Sequence, residues 1–220
     1  MKLLCLSDIH GEGAGLRDVL REAADADLVI LAGDITHLGG YAEAEAVLGP
    51  VLESGLRVVA VAGNMDREGA RQCLQERGLD IHARGVVIGQ VGFQGLGGGT
   101  PSPFRTPWEL TEEEAAAQLA AGVPAIAAAR FKVLVSHAPP RGTRLDRSFA
   151  GQHVGSEAVR DFVLAGSVGL CICGHIHESA GEDTVGGVLC VNLGPFKNGR
   201  YAVIDIDVEG AQSTVEWRKK

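Results

Sequence analysis

Asp8 with His10, Asp34, Asn64, His137, and His175 with His177 each stand directly after a short apolar run. Two carboxylates, one amide and four imidazoles make seven oxygen and nitrogen donors in all. That is too many for one four-coordinate ion and suits two divalent ions that share a carboxylate. Imidazole and carboxylate without thiolate favour Mn, Fe, Zn or Ni over Ca. Each piece has an ordinary explanation when taken singly. Asp-x-His is a weak signal, Gly33-Asp34 and Gly63-Asn64 are common turn pairs, and Gly-His-Ile-His reads as a surface turn. The repetition after five separate runs carries the inference.

The runs themselves are Leu3 to Leu6, Leu28 to Ala32, Val58 to Ala62, Val133 to Val135 and Leu170 to Cys173. Short, continuous and rich in Val, Ile and Leu, they read as strands buried on both faces. Open α/β sheets bind ligands beyond the carboxyl ends of their strands, which is where the donors fall. Between the first three runs lie helical patterns. Leu16, Val19, Leu20, Ala23 and Ala24 follow helical spacing, and Ala70, Cys73, Leu74 and Arg77 continue it until a C-terminal glycine cap at Gly78. Tyr41 to Ser54 is also helix-like, with Gly49-Pro50 expected to break or restart it.

The second half reads differently. Val86 to Leu96, Val188 to Leu193, Tyr201 to Val208 and Thr214 to Trp217 are strand candidates, the last two alternating as antiparallel strands with one wet face do. Gly97 to Pro107 is a loop rich in Gly, Pro and Thr. Thr111 and Glu114 form a capping-box pattern that opens a helix through about Ala121, and a further helix starts at Ser156. The expected architecture is two sheets sharing a core with helices outside, in a single domain over residues 1–220.

The 220 residues carry 28 acidic and 20 basic side chains, a net charge of −8, and 31 glycines. With only five lysines, the chain lacks the basic surface that non-specific nucleic-acid binding needs. Phosphorylated small molecules stay open, because bound metal ions reverse the local sign. Five cysteines in no paired pattern point to a reducing compartment. The N-terminus reaches Ser7-Asp8 too early for a signal peptide's apolar stretch, and no run approaches the length of a membrane span. A cytoplasmic protein without membrane contact is the expectation.

The blocks Ser7-Asp8-Ile9-His10, Gly33-Asp34, Gly63-Asn64-Met65-Asp66, Ser136-His137 and Gly174-His175-Ile176-His177 resemble the five signatures of calcineurin-like metallophosphoesterases. His137-Ala-Pro-Pro, His153-Val-Gly-Ser, His175-Ile-His-Glu-Ser and Asn192-Leu-Gly-Pro resemble its small prokaryotic Icc-related branch. The resemblance implies a four-layer αββα sandwich of two mixed β-sheets flanked by helices. It also implies a two-metal site, with Mn or Fe ahead of Zn or Ni. Asp8, His10 and His177 would hold one ion, Asn64, His137 and His175 the other, and Asp34 would bridge them. A metal-bridging hydroxide would then attack phosphorus in line.

One position departs from the family pattern. The residue after the Asn of the third block is usually a His that protonates the leaving group; here it is Met65, whose thioether has no proton to give. Asp66 is the nearest replacement, either orienting a neighbour or acting as a weak acid if burial raises its pKa. His153 is a second catalytic candidate. Arg141 and Arg144 are candidates for gripping substrate phosphate, with Arg147 beside them. His37 reads as a support to the metal ligands, and His82 as incidental. Cys171 and Cys173 share one strand face and read as core. Phe104 and Trp108 read as a lid or a dimer contact.

Phosphodiester hydrolysis is the leading expectation, since the Met65 site lacks the extra acid a monoester dianion usually demands. The alternatives are a nucleotidase or phosphomonoesterase on the same site, or a non-catalytic protein-binding scaffold of the same fold, for which retromer's phosphoesterase-like subunit is a precedent. A homodimer is compatible with the sequence.

Overall fold

Successive residues of β1 (Lys2–Leu6) point to opposite faces of a sheet, and both faces are apolar. Leu3 and Cys5 enter one core; Leu4 and Leu6 enter another. This double burial explains why the run is continuous rather than alternating. The computed structural model describes residues 1–220 and repeats the pattern in β2 (Leu28–Ala32) and β3 (Val58–Val61). These three strands run parallel in a five-stranded sheet, which β10 (Arg200–Asp207) and β11 (Gln212–Lys219) extend antiparallel from the β1 edge.

A second, six-stranded sheet is ordered β4 (Gly85–Ile88), β5 (Val91–Leu96), β6 (Phe131–Ser136), β7 (Leu170–Cys173), β9 (Val188–Asn192) and β8 (Gly181–Val185). Its central strands β5, β6, β7 and β9 are parallel and its two edges antiparallel. The sheets pack face to face through Leu3, Leu28, Ile30, Phe93, Val133, Ile172 and their neighbours. On the outer face of the first sheet lie α1 (Leu16–Glu22), α2 (Tyr41–Glu53) and α3 (Glu68–Glu76). Outside the second lie α4 (Glu112–Gly122) and α5 (Glu157–Leu164). The result is the expected four-layer αββα sandwich with two mixed sheets. No helix is long and apolar enough to cross a membrane.

Local chemistry fixes several boundaries. The Thr111 hydroxyl accepts the Glu114 N–H at 3.2 Å while Glu114 accepts the Thr111 N–H at 2.9 Å, closing the capping box that opens α4. Such a cap contributes about 1 kcal/mol. Ser156 caps α5 by accepting the Val159 N–H at 3.2 Å. Gly78 takes the left-handed backbone that follows α3.

Two expectations are corrected. Gly49-Pro50 does not interrupt α2, which runs unbroken through Pro50. Proline removes a single backbone donor there, while Ala44, Val47, Leu48 and Val51 keep one continuous buried face on either side of it. The Val86 to Leu96 stretch is a hairpin of two strands, and β8, polar and glycine-flanked, carries no periodic signal that would have revealed it.

A candidate metal centre at the strand ends

Parallel alignment of β1, β2 and β3 in one sheet, and of β6 and β7 in the other, brings their carboxyl ends to one edge of the sandwich. The seven expected donors follow those ends. Asp8 Oδ1 lies 3.1 Å from His177 Nε2, whose ring nitrogen is 3.2 Å from His10 Nε2. His137 Nε2 lies 2.9 Å from Asn64 Oδ1 and 3.4 Å from Asp34 Oδ1. Asp8, His10 and His177 thus form one close group of donor atoms, and Asp8, Asp34 and His137 a second. His175 stacks tilted on His137 with ring centroids 4.9 Å apart, and its backbone N–H donates to Asp8 Oδ2 at 3.1 Å.

This donor set fits divalent ions. Ligands about 2.1 Å from a shared octahedral ion, at right angles to one another, lie about 3 Å apart, and the spacings above cluster around that value. Two imidazole nitrogens facing each other beside a carboxylate need a cation or a proton between them. The buried His10 Nδ1 has no hydrogen-bond partner. His137 donates from Nδ1 to the Ala32 carbonyl at 2.9 Å, an outer contact that fixes the ring's orientation and aims Nε2 at Asp34.

The backbone is held in tension to achieve this. Asp8, His10, Asp34 and His175 all adopt left-handed φ values of 50° to 70°. Each such conformation costs a non-glycine residue about 1 kcal/mol or more, and strain of this kind concentrates at functional sites. Gly63 and Gly174 allow the close approach: a Cβ on Gly63 would strike Asp34, and one on Gly174 would strike Ser7 and Asp8.

Charge is balanced within the cluster. Burial alone would raise the Asp8 carboxyl, but the hydrogen bond to His177 and the field of His137 hold it well below the usual range. Burial likewise opposes ionisation of Asp34, and His137 outweighs it. Burial lowers His10, and burial with the nearby His137 pushes His175 down to about 4. Both are therefore neutral near pH 7 and present lone pairs. Burial disfavours a charged His137, yet Asp34 and Asp8 hold it at about 9.

The remaining candidates fall in three places. Asp66 is fully buried behind the donors, accepting the Ile35 and Thr36 N–H groups, the Thr36 hydroxyl and the Gly63 N–H at 2.7 to 3.1 Å. Burial and the Asp34 charge push its carboxyl up to about 6. His37 and Met65 line the open face of the cluster, His37 edge-on to His10 with centroids 5.4 Å apart. His153, Arg141 and Arg144 do not line the cavity at that face. His153 is held at 2.6 Å by the buried Asp146, Arg141 pairs with Glu157 at 3.6 Å, and Arg144 pairs with Asp183 at 3.7 Å. His82 accepts the Gly97 N–H at 2.9 Å and packs edge-on against Trp108, so it supports a loop. Cys171 and Cys173 lie in the outer core under α4 and α5.

A cavity of about 500 Å³ opens on five of the donors, His10, Asp34, Asn64, His175 and His177, and it has walls that the motifs do not mark: Arg105, Thr106 and Lys197. The only signal in the sequence was their position in Pro/Gly-rich stretches. Leu38 also lines it, in a left-handed conformation at φ 58°.

The family model for calcineurin-like phosphoesterases matches residues 1–179. The chain belongs to that family, whose members are hydrolases of phosphate esters that depend on two metal ions. It is 35% identical over 200 residues to an uncharacterized protein of Methanocaldococcus jannaschii, covering 89% of this chain and 88% of the relative. Among solved structures, a Thermus thermophilus protein superposes with a TM-score of 0.75 at 17% identity, over 98% of this chain and 97% of its own. A dimetal phosphatase from Danio rerio does so with a TM-score of 0.70 at 14% identity, over 100% of this chain and 96% of its own. At these identities the two structures speak to the fold.

Proposed function

We propose that this chain hydrolyses phosphodiesters with two divalent ions, Mn or Fe ahead of Zn or Ni, held by the seven strand-end donors. Asp8, His10 and His177 hold one ion, Asn64, His137 and His175 the other, and Asp34 lies between them. The observation that carries the reading is the convergence of donors from four strands into two groups, Asp8–His10–His177 and Asp8–Asp34–His137, with Asn64 from a fifth strand 2.9 Å from His137. When bound, the ions supply an acidified water and neutralise charge on the phosphate oxygens.

The protein's own groups orient and shield. His137, pinned through Nδ1, keeps Nε2 aimed at Asp34. Asp66 stitches the loop after β2 to the loop after β3, so Asp34 and Asn64 keep their spacing. Met65 lines the cavity, in the place where the family pattern has a proton-donating His, and offers no proton, while Asp66 points away, fully buried. A diester monoanion with a stable leaving group therefore suits the site better than a monoester dianion.

Purified protein incubated with Mn²⁺ and bis-p-nitrophenyl phosphate tests this beside Asp34→Asn and His137→Ala variants. Metal-dependent release of p-nitrophenol by the wild type, lost in both variants, is expected. Turnover no faster than the variants contradicts the reading and favours a binding scaffold.

A further inference from the structure

The loop between β5 and α4 is built to hold a shape. Its roots are tied to the third strand-end segment: Gly98 N–H donates to Ala62 O at 3.0 Å, and Trp108 N–H donates to Asn64 O at 3.2 Å. The Glu109 carboxylate closes its neck, accepting the Ser102 hydroxyl, the Thr106 N–H and the Thr106 hydroxyl at 2.8 to 2.9 Å. Pro101, Pro103 and Pro107 stiffen the span, since each fixes one φ. The loop carries Phe104 and Arg105 to the wall of the metal-site cavity.

Both residues are unusual for a free surface. Phe104 is 85% exposed, a large apolar area left in water. Arg105 sits at φ 50°, a strained backbone for a side chain of its size. Arg105 and Lys197 place two cationic side chains on the same cavity. Of the eight non-glycine residues with positive φ, six are strand-end donors or cavity walls: Asp8, His10, Asp34, His175, Leu38 and Arg105. An observed strain cluster of this kind points to function.

We infer that the Phe104–Arg105 tip is the specificity element of the site and selects phosphodiesters whose esterifying group is a nucleoside. A flat ring with polar acceptors at its edge satisfies both residues at once. Its face stacks on the Phe104 ring, and its edge accepts from the planar guanidinium of Arg105. The cavity volume of about 500 Å³ lies within the range of small-ligand sites. A preformed loop spares the ordering cost that a mobile one would incur on binding. The inference rests on the phosphodiesterase reading and adds the class of substrate.

Two substrates with one leaving group separate recognition from chemistry: thymidine 5′-p-nitrophenyl phosphate and methyl p-nitrophenyl phosphate. The ratio of their kcat/KM values is measured for the Mn²⁺-loaded wild type, Phe104→Ala and Phe149→Ala, an exposed phenylalanine off this cavity. The wild type is expected to favour the nucleoside diester, and Phe104→Ala to lower that ratio about tenfold, the size of one base–aromatic stack. Phe149→Ala is expected to keep the ratio. Calorimetry with thymidine 5′-monophosphate gives a second readout, Kd rising about tenfold in Phe104→Ala. Hydrolysis of both diesters with the same ratio in all three proteins overturns the inference and leaves the phosphodiesterase reading standing. Hydrolysis of neither diester overturns that reading; the inference is then decided by nucleotide affinity, and an equal Kd in wild type and Phe104→Ala overturns it.

Discussion

The Asp66 carboxylate accepts both the backbone N–H and the hydroxyl of Thr36 at 2.7 Å. This pair joins the segment after β2 to the segment after β3 behind the donor cluster. Replacing Asp66 by Ala strands the N–H groups of Ile35, Thr36 and Gly63 in a buried space. Each buried group left unpaired costs about 1–3 kcal/mol. Asp66→Ala is therefore expected to lower stability by about 3 kcal/mol, read by chemical denaturation, and to weaken metal binding about 10- to 100-fold, read by titration. Unchanged metal affinity in a folded Asp66→Ala protein contradicts a positioning role.

His82 makes stability depend on pH. Burial and the charges of Arg71 and Arg84 push its imidazole down to about 4, from an ordinary 6.5. The unfolded chain therefore binds the proton first as pH falls. The stability that the neutral ring supports is complete above about pH 6.5 and is lost progressively down to about pH 4, by about 2–3 kcal/mol. Comparing wild type with His82→Gln across this window isolates the effect. The variant should lose less stability on acidification, and parallel curves contradict the assignment.

Arg71 lies over the Trp108 ring, 4.3 Å from its centre, and Trp108 in turn bonds the backbone of Asn64. A double-mutant cycle with Arg71→Met and Trp108→Leu is expected to give a coupling of about 1 kcal/mol. Additive effects of the two substitutions would show that the stacked geometry contributes nothing to holding the loop root.

Under the proposed function, Met65 is expected to set the leaving-group preference. Met65→His places a proton donor on the cavity wall and should raise turnover of alkyl diesters about 10- to 100-fold, at or below the range for general acid catalysis. The same change should barely alter bis-p-nitrophenyl phosphate, whose leaving group needs no proton. Equal gains on both substrates contradict the account of the missing acid.

Much of this site is legible from residue order because its geometry is repetitive. A buried parallel strand shows itself as an unbroken apolar run, and Asp8, Asp34, Asn64, His137 and His175 follow such runs closely. The helix starts at Thr111 and Ser156 are legible for a similar reason, since a cap is a local hydrogen bond between near neighbours. What escapes is set by long-range packing. Arg105 and Lys197 are 92 residues apart and meet on one cavity only through the fold. Asp66 stands two residues after a donor, yet its direction is dictated by Thr36, 30 residues earlier. Pro50 misleads because a buried helix face outweighs one absent backbone donor.

Metal stoichiometry tests the central claim most directly. Chelator-stripped protein dialysed against Mn²⁺ and assayed by plasma mass spectrometry should hold two ions per chain. Asn64→Leu with His137→Ala should reduce this to one, because it breaks the second group and leaves that formed by Asp8, His10 and His177 intact. One ion or none in the wild type, or two retained in the double variant, contradicts a paired centre built from these seven residues.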